Sequence, residues 1–512
     1  MATPKWFHRR RGSLMLAGIA VATLALGSCS SPIDEPKPAQ SEGSSSQVVV
    51  ANAEPPTAAY WDPSASFGLV DEQVASLVFD TLFLMDPSGA IKPNLATEWT
   101  RVSDTELTVT IRDGVKFHDG TDLTADDVVA SLNRLMAGDG KLGKAILLTK
   151  GAATADGNTV TIKTDAPFGP LENSLAVVPI ISKKDAANPD AFKTGANGSG
   201  PYKFVSYKGD DITLEANADY WAGAPKIGKI ILRYIADADA RQNALIAGQA
   251  DIATRVGPSY VTAIKKESGF HVETVSPPSQ IVTLYQHNGP LADPKVRQAL
   301  AYAVDREAIA KNLMDGVNKV GFNGVPTTVE GYKPSDEKYE YNPEKAKQLL
   351  AEAGKTGLTL TMATSTLVPN QLEIDQAIVQ YLKDVGVQVD VKQLEVGEFR
   401  TSYNQYDLSM NTLASFNNDA SFILAIFAGA TGEAVAHLKD PELDKLVAAQ
   451  DSTVGSARAD AIDAAASYLW DNQMTLWLTD ETWSTIVNDR VQGYQRAPLV
   501  GERLLADANL AG

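Results

Sequence analysis

One cysteine, Cys29, is found in 512 residues. No disulfide can form within the chain, and a lone thiol cannot build a thiolate metal site. Histidine is almost as scarce, with His8, His118, His271, His287 and His437. Apart from Asp119 beside His118, none stands at ligand spacing with another histidine or a clustered carboxylate, so no metal is expected and each is read as a surface or turn residue. The chain also lacks a nucleophile elbow, a phosphate-binding lysine loop, a zincin helix and a dinucleotide fingerprint. Gly198-Ser199-Gly200-Pro201-Tyr202 comes nearest to a phosphate loop, yet it has no lysine and leads into a strand. No enzyme and no cofactor are therefore expected; an extracellular hydrolase with two carboxylates across a cleft is the chemical alternative. Basic residues number 45 against 63 acids, which disfavours nucleic acid as a partner.

Long apolar runs are missing except near the start, where residues 14–26 follow Lys5, Arg9, Arg10 and Arg11. Thirteen helical residues reach roughly 20 Å, short of the roughly 30 Å hydrocarbon core, so residues 1–28 read as a signal peptide and not a spanning anchor. Its basic residues leave twin-arginine export as an alternative to ordinary secretion. Leu26-Gly27-Ser28-Cys29 resembles a bacterial lipobox, in which the cysteine is acylated and becomes the first residue. Residues 30–46, rich in Ser, Pro and acid, then form with Cys29 a flexible tether. Cys29 is thus the expected lipid anchor on the outer face of the cell membrane. Removing residues 1–28 takes away four basic and no acidic side chains, moving the net charge from −18 to −22.

What remains is too long for one core and alternates between strand and helix signals. The stretch 106–112, ELTVTIR, and 158–164 alternate as half-buried strands. Thr124 opens a helix with acids in its first turn. Asp293-Pro294, Asn342-Pro343 and Asp440-Pro441 repeat a capping residue before proline, and Gly316 and Gly354 close helices over 294–315 and 343–353. Strands at 358–363 and 387–393 around a helix near 374–385 give a βαβ arrangement, and a helix over 457–474 precedes strand-like 484–487.

FDTLFLMDPSGAIKPNLATEW, from Phe79, and TELTVTIRDGVKFHDGTDLTADDVVASLNRL, from Thr105, resemble the N-terminal signature of family 5 extracellular solute-binding proteins, which serve ABC importers of dipeptides, oligopeptides or nickel. NADYWAGAPKIGKIILRYIADADARQNALIAGQADI, LADPKVRQALAYAVDREAIAKNLMDG, YNPEKAKQLLAEAG and GYQRAP resemble later blocks in the same order.

The resemblance implies a type II periplasmic-binding-protein fold, α/β, with two lobes, a hinge and an extra subdomain. The first lobe would run over 48–275 with the extra subdomain near 90–195, the second over 276–474, and 475–512 would return to the first. Function would be capture of a peptide-like solute by hinge closure, by a monomer that delivers it to a membrane permease driven by separate ATPase subunits. The family's amine-binding aspartate would correspond to Asp419 in Phe416-Asn417-Asn418-Asp419, and its strand-pairing loop to Phe67, Gly68 and Leu69. Trp61 and Phe399 are further aromatic candidates for ligand contact. An oligosaccharide ligand, stacked on Phe67 and Phe416 and bonded to Asn417 and Asn418, is the alternative within the family. A chaperone or signalling receptor would use the same closure without a permease.

Overall fold

The computed structural model describes residues 46–53, 62–63, 69–86, 88–137, 142, 146, 151–188, 190–193, 195–314, 316–368, 370–496, 499 and 503–511. Residues 45–512 form one compact unit.

Two sheets organise the two lobes. The first has seven strands in the order Phe270–Val275, Trp483–Asn488, Ile252–Ala253, Gln47–Asn52, Lys229–Tyr234, Asp211–Ala216, Tyr202–Lys208. Gln47–Asn52 runs parallel to both neighbours, and its VVVAN run is buried on both faces, as a central parallel strand requires. The second sheet has five strands, Gln388–Gln393, Thr359–Thr364, Leu408–Ala414, Ser279–Tyr285 and Thr475–Asp480. Here the expected βαβ unit is present, with parallel strands Thr359–Thr364 and Gln388–Gln393 joined through helix Gln371–Asp384. Its Ile374, Ile378 and Leu382 lie in the second lobe's core together with Trp470 of helix Ala457–Asp471.

The chain passes between the sheets at two places, from Val275 to Ser279 and from Asp480 to Trp483. The return therefore starts after Asp480, later than the expected 475, because Thr475–Asp480 pairs with Ser279–Tyr285. A third, four-stranded antiparallel sheet spans Ala96–Ser103, Glu106–Ile111, Thr159–Lys163 and Ala152–Asp156, and has its own core. In ELTVTI, Leu107, Val109 and Ile111 point into that core, as the alternation requires.

The helix starts follow the capping chemistry. The Thr124 backbone and hydroxyl both donate to Asp127 Oδ2, at 2.8 and 2.7 Å, before helix Ala125–Met136. Residues 294–315 hold two helices, Pro294–Ala303 and Arg306–Leu313, in place of one. The Asp305 carboxylate accepts from Ala308 N at 2.9 Å, so it starts a new helix where apolar periodicity alone continues the old one.

Candidate functional site

The cleft between the lobes is where a hinged receptor holds its solute, and here the walls touch. After strand Leu408–Ala414, the Ser415 hydroxyl organises a tight turn, accepting from Asp419 N at 2.9 Å and bonding Asn417 Oδ1 at 3.1 Å. Asn418 takes a left-handed φ of 55°, which asparagine tolerates better than most side chains.

This turn docks on the first lobe. Asn417 Nδ2 donates to Ser174 Oγ at 3.0 Å, and Asn173 Nδ2 donates to Asn418 O at 3.4 Å, both from helix Leu171–Leu175. Gly169 N donates to Asp451 O at 2.7 Å. Two glycines make the approach possible: a Cβ on Gly89 would lie 2.4 Å from Asn418 Nδ2, and one on Gly169 would lie 2.2 Å from Arg458 Nε. The Asn417–Ser174 bond is buried and the Asn173–Asn418 bond partly so, which puts the two walls in direct contact.

Asp419 is 2 % exposed and committed elsewhere. Its carboxylate pairs with both terminal nitrogens of Arg458, at 2.6 and 2.7 Å, and accepts from Ser421 N at 2.8 Å. Arg458 also reaches Ser421 Oγ and Gln450 Oε1. The expected role of Asp419 as an amine anchor is thereby corrected: a carboxylate already held bidentately by a buried guanidinium has no charge left over for a ligand ammonium. Although burial opposes its charge, Asp419 lifts the Arg458 pKa above the ordinary value. Burial also raises the nearby Asp451 to about 6, with Asp419 adding to the shift.

The remaining expected contacts divide. Phe416 is half-buried, meets the Phe422 ring at 5.2 Å, and helps line a cavity of about 70 Å³ beside Phe79, Leu84, Leu142, Val177 and Leu499. Among the described residues, Glu72 is the one charged residue in that lining. Asn417 faces the opposite lobe through its bond to Ser174. Phe399 is fully buried with Ala363 and Leu394 in the second lobe, so its assignment as a cleft aromatic is corrected to core. Leu69 is the first residue of helix Leu69–Val78. Trp61, Phe67, Gly68 and Cys29 lie outside the described residues.

The histidines also need a correction. His287 is packed inside the second lobe with Nε2 2.7 Å from Met474 O, and burial pushes its pKa down to about 4. His118 Nε2 lies 3.0 Å from Gly200 O, and burial likewise lowers it.

Sequence reasoning missed Arg458, Gly169, Ser174 and Ser415. An arginine in the first turn of a helix carries no local mark of a distant carboxylate. Gly169 shows its purpose only through a contact 289 positions away, with Arg458.

Comparison with known proteins places this geometry. Residues 90–434 match the family described as bacterial extracellular solute-binding proteins, family 5 Middle. The oligopeptide-binding protein AppA of Bacillus subtilis is 30% identical, the match covering 76% of this chain and 77% of that one. The heme-binding protein A of Haemophilus influenzae is 27% identical over 94% of this chain and 96% of its own. The crystal structure of the ABC transporter substrate-binding protein CtaP of Listeria monocytogenes superposes with a TM-score of 0.83 at 23% identity, covering 91% of this chain and 100% of that one. The chain belongs to the family 5 bacterial extracellular solute-binding proteins.

Proposed function

We propose that the chain is the solute receptor of an ABC importer, closing its lobes on a peptide-like ligand and presenting the closed form to a permease driven by separate ATPase subunits. The observation that carries the closure is the buried contact of the Ser415–Asp419 turn with helix Leu171–Leu175 and Gly169. A solute that binds both walls stabilises this arrangement by its differential affinity for the closed state. The permease then reads a shape, and no bond is made or broken. The peptide class rests on likeness to an oligopeptide-binding relative and on the half-buried Phe416 beside an apolar cavity suited to a side chain. Lipidation of Cys29 would hold the monomeric receptor at the outer face of the membrane, with residues 30–46 as its reach.

Native mass spectrometry of the soluble chain from residue 30 onward tests the ligand class. A co-purified ladder of peptide masses supports peptide capture. A sugar mass favours the second reading, an oligosaccharide, for which Asp419 being held by Arg458 is the supporting observation: Ser415, Phe416, Asn417 and Asn418 form a neutral wall.

A further inference from the structure

The first sheet carries a row of buried polar side chains at its cleft edge. Val50 and Ala51 stand opposite Ile252 and Ala253, which stand opposite Val487 and Ile486. One position further on, Asn52, Thr254 and Thr485 share one face of three adjacent strands. They are 2 %, 1 % and 0 % exposed. Thr254 Oγ1 donates to Asn52 Oδ1 at 3.0 Å, and Arg496 Nη1 donates to Thr485 Oγ1 at 3.0 Å. Trp483, two residues before Thr485 and on the same face, lies under the Arg496 guanidinium at 5.0 Å and the Arg255 guanidinium at 4.7 Å.

Gln73 also joins the row, donating from Nε2 to Asn52 Oδ1 at 3.1 Å. Among the described residues, Asn52 Nδ2 and Trp483 Nε1 are buried with no hydrogen-bond acceptor. Arg496 is only 6 % exposed, and among the described residues it makes no ion pair. Glu481, which pairs with Arg255 at 3.5 Å, is also engaged by Ser279 Oγ at 2.8 Å. A guanidinium is rarely buried without an anion, because desolvating its charge costs several kcal/mol. The location is the carboxyl end of the parallel strands Gln47–Asn52 and Ile252–Ala253, where open α/β sheets receive ligands, and it adjoins the crossover at Glu481 and Thr482.

We propose that Arg496, with the Trp483 N–H and the Asn52 amide, is an anion subsite that receives a carboxylate of the captured solute. This rests on the reading of the chain as a solute receptor. A carboxylate there supplies an acceptor to the Arg496 guanidinium and the Trp483 N–H, and it ties a ligand to the strand that leaves the hinge. The receptor then discriminates acids from their neutral amides.

The test uses calorimetry of the soluble chain from residue 30 onward with tri- to penta-alanine as free acids and as C-terminal amides. The free acids are expected to bind at least tenfold more tightly, and Arg496→Gln is expected to collapse that ratio towards one. Equal binding of acids and amides by the unaltered protein overturns the subsite while leaving peptide capture standing, as does a ratio that survives Arg496→Gln. Should none of these peptides bind, the peptide reading fails separately, and thermal shifts with glutarate against glutaramide at matched ionic strength decide the subsite. A glutarate-specific shift lost in Arg496→Gln supports it, and no such shift overturns it. If Arg496→Gln does not fold, Thr485→Val releases the hydrogen bond that orients the guanidinium, and a reduced or unchanged ratio is read in the same way.

Discussion

Arg458 holds Asp419 through two hydrogen bonds, of 2.6 and 2.7 Å, with 5 % and 2 % of the two side chains exposed. The pair joins helix Ala457–Asp471 to the turn that meets the first lobe. Removing one member leaves the other buried without its ion-pair partner. Asp419→Ala is expected to cost about 3–5 kcal/mol of stability, read from urea denaturation. An unchanged midpoint with a large loss of ligand affinity would restore Asp419 to ligand binding.

Gly169 is the tightest point of the lobe contact. A side chain there meets Arg458 and the Thr453 carbonyl within 2.5 Å of its Cβ, and backbone cannot move aside cheaply. Gly169→Val is expected to leave each lobe folded but to disfavour closure, lowering affinity for the co-purified solute at least tenfold and enlarging the radius of gyration of the loaded protein in X-ray scattering. Wild-type values for both would show that closure does not use this contact.

Asp375, on helix Gln371–Asp384, is 1 % exposed, and burial raises its pKa to about 7 although Thr364 and Gln371 pull the other way. Among the described residues, neither oxygen meets a well-aligned donor. The folded state holds its proton where the unfolded state has already released it, so stability falls as pH rises from about 4 to about 7 and levels off above. The slope from this group is at most about 1.4 kcal/mol per pH unit. Asp375→Asn is expected to remove that slope from the pH dependence of the denaturation midpoint; an identical pH profile would place the titration elsewhere.

Cys29→Ala is expected to release the receptor into the soluble fraction with its fold intact. Continued recovery with membranes after a carbonate wash would mean that something other than a thioether-linked lipid holds it.

Local chemistry made much of the fold legible. Leu107, Val160 and Ile374 announce their elements by the spacing of their apolar neighbours, and Thr124, Asn342 and Asp440 announce helix starts by side chains that can reach a backbone N–H within three residues. The break between Ala303 and Arg306 escaped because Asp305 had to compete with an apolar pattern that runs across it. Phe399 escaped for the opposite reason, since an aromatic residue in a core and one in a cleft share the same composition.

By itself the sequence determined the class of the protein: its signal-like start, its strands and helices, and its ordered family blocks all depend on residues near one another in the chain. Only the tertiary structure decided what the carboxylates and guanidiniums do. Asp419 lies 39 positions from Arg458, and Thr485 lies 11 from Arg496. Charge pairing acts over a few ångströms of space, and which cation a given carboxylate meets is set by how the sheets and helices pack.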